Sequence, residues 1–221
     1  MHQDLYETKK NNAGGSDMPG ICEPAAAYAR KTQERIYTIE DIYALPEGVR
    51  AELIDGKIYY MAAPSRTHQR INGELFFQVA HYLKSHGSKC EVYIPPFAVY
   101  PFDDDKVYLE PDLIVVCDTG KLDEKGCHGA PDWVVEILSP SSRGRDDVIK
   151  LNKYYLAGVR EYWLIYPEQK NIAVFIFDRE REDTGLHLYS FEDVIPCSLA
   201  PDLKISLKEP AASADSGAAA E

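Results

Sequence analysis

At 221 residues, with 45% hydrophobic and 11% aromatic content, the chain can bury one sizeable core and is expected to form one domain. A formal net charge of −12 argues against a surface that wraps nucleic acid as a whole, since phosphate affinity comes from Lys and Arg, so a nucleic-acid partner has to meet a local basic patch. Five widely spaced cysteines without a CxxC pair predict neither a disulfide framework nor a zinc site and favour a reducing cytoplasm, and no leader or membrane-spanning run is expected.

Residues 1–35 mix Asn, Gly, Ser, Pro and charge (KKNNAGGSDMPG) and are too poor in large apolar residues to offset the entropy of folding; they are expected to be a flexible arm. The domain, expected over 36–207, begins where Thr38 caps a short helix carrying Ile39, Ile42, Tyr43 and Leu45, with Pro46 and Gly48 stopping it. AELIDGKIYYMAAP alternates as two strands around Asp55-Gly56, with Glu52 near its start. From Ser65 to His86, Ile71, Leu75, Phe76, Val79, Tyr82 and Leu83 recur at helical period, predicting the longest helix, with Gly87 beyond its end.

CEVYIPPFAVY, KVYLEPDLIVVCD and APDWVVEILSP are β-branched and aromatic, and their LIVV and WVVEIL runs predict strands covered on both faces of a mixed sheet. DDVIKLNKYYLAG reads as a helix with Asp146 and Asp147 near its positive end and Gly158 past its other end. EYWLIYP, NIAVFIFD and GLHLYSF add three strands, and 208–221 is expected to be a disordered tail. The order is α/β, a mixed sheet flanked by helices with a β-rich C-terminal extension.

Glu136, inside an apolar strand, is costly to bury as an ion unless something pairs with it. Asp112 opens the preceding strand after Pro111, and neighbouring strands lie about 4.8 Å apart, so the two carboxylates can converge on one divalent cation. Mg²⁺ suits such a pair, because it takes one or two protein carboxylates and completes its shell with water and phosphate; the Ile137 carbonyl offers a further oxygen. Each acid also has a plain structural reading: a turn device for Asp112, a buried ion pair with Lys150 or Arg160 for Glu136, and simple solvation for Glu52. Ser139, Ser141 and Ser142 lack a GxSxG setting and read as turn residues, while Trp133 and Trp163 read as core.

The series AELIDGKIYYMAAPSRTHQR, EPDLIVV, PDWVVEILSPSS and DDVIKLNKYYLAGVREYWLIYP resembles, in order and spacing, the Uma2-like family (domain of unknown function 820) of the PD-(D/E)XK nuclease superfamily. The resemblance implies a restriction-endonuclease-like core and Mg²⁺-dependent endonuclease cleavage of DNA, with Mn²⁺ as an alternative ion. It makes Asp112 the Asp of PD, Glu136 the acid of (D/E)XK, and Glu52 the acid from the first helix-hairpin region. Leu138 stands where the superfamily has lysine. Lys150 is the substitute the resemblance offers, in a K-x-x-x-Y pattern with Tyr154, and helix neighbours four apart share a face.

Glu52, Asp112, Glu136 and Lys150 are thus the expected catalytic set. The metal ligands are Glu52, Asp112, Glu136 and Ile137, and the substrate contacts are His68, Arg143, Arg145 and Tyr154. Arg143, Arg145, Lys150, Lys153 and Arg160 form the expected DNA-facing strip. Strands after Tyr162 offer a homodimer edge. If Lys150 merely neutralises Glu136, the fold is instead an inactive DNA- or protein-binding module; a hydrolase of small phosphoesters is the third reading.

Overall fold

The computed structural model describes residues 35–139, 146–178 and 182–208, without the side chains of 146 and 147. Nearly all of the expected arm, the tail beyond 208, and Ser141, Ser142, Arg143 and Arg145 lie outside the described residues. The elements are α1 Ile39–Tyr43, β1 Ala51–Ile54, β2 Lys57–Tyr60, α2 Arg66–Ser85, β3 Glu91–Tyr93, β4 Ala98–Tyr100, β5 Leu113–Val116, β6 Gly126–His128, β7 Trp133–Ile137, α3 Asp146–Ala157, β8 Glu161–Tyr166, β9 Asn171–Ile176, β10 Gly185–Ser190, β11 Val194–Cys197 and β12 Ala200–Ser206.

Local chemistry explains the boundaries that matter for the site. The Thr38 N–H donates to Asp41 Oδ2 at 2.9 Å and starts α1. Asp55 (φ 50°) and Gly56 (φ 74°) both turn left-handed between β1 and β2, a conformation that Asp tolerates and Gly adopts without strain. Ser65 Oγ accepts the His68 N–H at 3.2 Å and caps α2, which ends before Gly87 (φ 59°).

A six-stranded mixed sheet, in the order β10-β9-β8-β7-β5-β3, carries the core. Its one parallel pair is β7–β8, joined through α3, as a crossover connection requires; the other pairs are antiparallel. Alternate residues face opposite layers. Leu113, Val115, Trp133, Val135 and Trp163 pack against Ile71, Leu75 and Val79 of α2 and against Ile195, Leu203 and Ile205 of the β11–β12 hairpin. Ile114, Val116, Val134 and Leu164 face the other way, toward Tyr154 of α3, Val99 and Leu109. LIVV and WVVEI are buried at every position, as their unbroken apolar runs predict, and Trp133 and Trp163 are core.

β6 and the β11–β12 hairpin have no counterpart among the expected strands. β6 is only three residues long and pairs in parallel with β4, so closely at Gly126 that a Cβ there would sit 2.3 Å from the Ala98 carbonyl oxygen. The expectation of no disulfide is corrected: Cys90 and Cys117 are bonded, with their Cα atoms 3.8 Å apart. They stand opposite one another at the end of the β3–β5 ladder, one step beyond the Glu91↔Val116 pair. Spacing along the chain cannot reveal a cross-strand pair, and the inference of a reducing compartment loses that support. Among the described residues, no helix is long and apolar enough to cross a membrane.

Glu161, fully buried at the start of β8, ties the C-terminal hairpin to the sheet. Its carboxylate accepts from Trp163 Nε1 at 2.6 Å, from the Ser198 N–H at 2.8 Å, and from the Ser198 hydroxyl. Burial pushes its pKa up, and the Ser198 and Trp163 hydrogen bonds oppose that shift. Glu161→Ala strands these donors and is expected to destabilise the fold by about 3 kcal/mol. A thermal melt should show this as a fall in Tm of several degrees.

Candidate active site

The β5–β7 register, Leu113↔Val135, places Asp112 across from Glu136 at the end of the ladder, both on the layer that faces α3. Asp112 Oδ2 accepts the Ile137 N–H at 2.7 Å, which locks the two strand ends together. α3 lies over this layer, and its i, i+4 pair points at Glu136: Lys150 Nζ is 3.1 Å and Tyr154 Oη 3.2 Å from Glu136 Oε1. Lys150 Nζ also lies 2.7 Å from Glu52 Oε2, while Glu52 Oε1 accepts the Glu110 N–H at 2.9 Å. Glu52, for which solvation was the plain alternative to a place among the acids, is buried at 5% exposure, on a strand whose Leu53 bridges antiparallel to Tyr108.

Glu52, Asp112, Glu136 and Lys150 line the floor of a cleft of about 550 Å³, with Arg50, Tyr59, His68, Asn72, Leu138 and Ile94 among its walls. His68 enters from the first turn of α2, its Nε2 3.1 Å from Asp112 Oδ2. Leu138 lines the cleft, and the ammonium of Lys150 reaches the acids from α3.

Two acids, Glu52 and Glu136, share one ammonium here, with Asp112 close by. Burial raises the Glu136 pKa to about 8; Lys150 opposes the rise, while Glu52 and Asp112 add to it. For Lys150, burial works against the charge, but Glu136 and Glu52 outweigh it and hold the ammonium protonated. In this arrangement Lys150 is a fixed positive charge and hydrogen-bond donor, not a proton acceptor.

The remaining expected residues divide differently. Tyr154 is 0% exposed and does not line the cleft, so its expected substrate contact is corrected to that of a residue holding Glu136. The basic strip also disperses: Lys153 Nζ meets Asp55 Oδ1 at 2.5 Å, and Arg160 pairs with Asp132 and Asp178 at 3.4 and 3.5 Å. Arg143 and Arg145 lie outside the described residues.

Three residues at the cleft were not singled out in the sequence. Arg50 stands two before Glu52 on an alternating strand, Glu110 adjoins Pro111-Asp112, and Asn72 is one helical turn from His68. That spacing was their only signal. Asn72 Oδ1 and His68 Nδ1 are buried without a hydrogen-bond partner among the described residues.

A family model described as "Uma2: Putative restriction endonuclease" matches residues 39–208. The chain is also similar to the crystal structure of "a putative nuclease belonging to DUF820" from Anabaena variabilis. The TM-score is 0.60 at 24% sequence identity, over 77% of this chain and 94% of that one, a likeness that bears on the fold. No curated protein matches the chain.

Because the folded-state pKa of Glu136 lies above its ordinary value of 4.5, its contribution to stability is fully present below about 4.5 and is lost as pH rises through about 8. Glu136→Gln keeps an oxygen for Lys150 and Tyr154 but removes the surplus charge. Melts of metal-free protein between pH 6 and 9 should show a Tm above wild type by roughly 2–4 °C at the alkaline end, with a flatter pH dependence.

Proposed function

Since the chain belongs to the Uma2 family, we propose that it is a Mg²⁺-dependent endodeoxyribonuclease that hydrolyses DNA phosphodiester bonds. The observation that carries this reading is the meeting of Glu52, Asp112, Glu136 and Lys150, from four separate elements, on the floor of one open cleft. The donor set fits a hard cation: three carboxylates against a single ammonium leave surplus negative charge that a divalent ion neutralises. Among the described residues, no three His, Cys, Asp or Glu side chains form a ready-made cage.

Asp112 and Glu136, with the Ile137 carbonyl and Glu52, would hold the ion. When bound, it supplies an acidified water and offsets charge on the phosphate. The chain's own residues do the rest. His68 and the Ile137 N–H orient Asp112, and Tyr154 orients Glu136. Lys150 keeps its proton at Nζ and directs a positive N–H toward the attacking water or the phosphoryl oxygen, the electrostatic part of the role vacated at Leu138. A pair of copies joined along β10, where Leu186 and Leu188 are exposed, would suit cutting of both DNA strands.

The second reading, an inactive nuclease-fold binding module, draws on the same contacts, since Lys150 already closes ion pairs with Glu52 and Glu136. The two readings part on a supercoiled plasmid. With Mg²⁺ the wild type is expected to nick it, chelation to stop the reaction, and Mn²⁺ to restore it. Asp112→Ala and Lys150→Ala should each slow nicking roughly 100- to 1000-fold. Equal nicking by wild type and Asp112→Ala would remove the assignment. Mg²⁺ should also raise the Tm of wild type and not of Asp112→Ala; no metal-dependent shift in either would favour the inactive module.

A further inference from the structure

We infer that Arg50 is the phosphate-binding cation of the cleft, a role that rests on the nuclease reading above. Of the described residues lining the cleft, two carry a permanent positive charge, Lys150 and Arg50. They are differently placed. The Lys150 side chain is 12% exposed and bridges two carboxylates, so its charge belongs to the acid cluster. The Arg50 side chain is 33% exposed, at the cleft wall.

Backbone geometry aims Arg50 at the same space as Glu52. The Met61 N–H donates to the Arg50 carbonyl at 2.9 Å, extending the β1–β2 ladder by one pair, so Arg50 and Glu52 stand two apart on one face of the strand. The guanidinium is then fixed along one edge: Nε and Nη2 donate to Glu110 Oε2 at 2.8 and 2.6 Å. Glu110 is itself fixed, because its other oxygen accepts the Tyr108 hydroxyl at 2.7 Å and its backbone N–H is held by Glu52. Nη1 has no partner among the described residues. A planar fork anchored on one side, with donors left on the other, is how arginine recognises a phosphate oxygen without first ordering a flexible side chain. Because Glu110 links directly to Glu52, a phosphate on Arg50 would sit at a fixed offset from the acids, next to the reacting bond or one nucleotide away.

The test measures binding of a fluorescein-labelled 16-base-pair DNA duplex at several KCl concentrations, with Ca²⁺ replacing Mg²⁺. Arg50→Ala is expected to weaken binding about tenfold on any sequence and to reduce the slope of log K against log [KCl] by about one. Arg50→Lys keeps the charge and its pairing with Glu110, and is expected to keep the slope while losing part of the affinity. It also serves if Arg50→Ala, which leaves Glu110 buried without a cation, fails to fold. In that event, Arg50→Lys binding identical to wild type at every salt concentration overturns the inference. An unchanged slope and affinity in folded Arg50→Ala does so directly, with the nuclease reading intact. Wild type that neither binds nor nicks DNA brings down both.

Discussion

The Lys150 ammonium, held between Glu52 and Glu136, is the contact on which the rest depends. A carboxylate inside a β-layer is tolerable only with a partner, and removing one member of a buried ion pair typically costs about 3–5 kcal/mol, because it strands the other. That requirement couples the β1–β2 hairpin to the central strand β7 and the helix α3, which follow one another in sequence but lie far along the chain from the hairpin. The neighbouring bonds work in the same direction. Lys153 holds Asp55 at the hairpin turn, and Asp112 takes the Ile137 N–H, so the acids cannot separate without breaking several polar contacts at once.

The cluster is arranged for charge, not for stability. One ammonium bridges two of the three acids, and, among the described residues, Asn72 and His68 each keep a buried polar atom without a partner, at a cost of about 1–3 kcal/mol apiece. A core selected only for stability would replace such groups with packed apolar side chains. Concentrated at one cleft, their persistence marks the place where the fold gives up stability for chemistry.

Much of this was legible in the sequence, for reasons that can be located. The period of two in LIVV and WVVEI places Asp112 and Glu136 on a common layer once the strands pair, and the spacing of four between Lys150 and Tyr154 places both on one helix face. Local periodicity is enough for these. What escaped depends on which distant strands pair. Cys90 meets Cys117 only because β3 is antiparallel to β5; Arg50 meets Glu110 only because β1 lies beside the Tyr108 strand segment. Glu52 lies in a strand of four residues whose partner beyond β2, the Tyr108 segment, is distant in sequence, so its burial was invisible before the hairpin docked. Tyr154 failed in a different way: the pattern found its direction correctly, but not that Glu136 would intercept it before the cleft.

The crossover from β7 through α3 to β8 sets the order in which the site can come into being. Glu52 and Asp112 emerge from the ribosome well before Lys150, and Glu136 shortly before it, while contacts that close long loops, such as that of Glu52 with Lys150, form late. Until α3 has been made and has folded back, the acids have no ammonium between them and the floor of the cleft is purely anionic. A growing chain therefore carries an incomplete, anionic centre until α3 packs, with half of the six-stranded sheet, β8, β9 and β10, still to follow it in the chain.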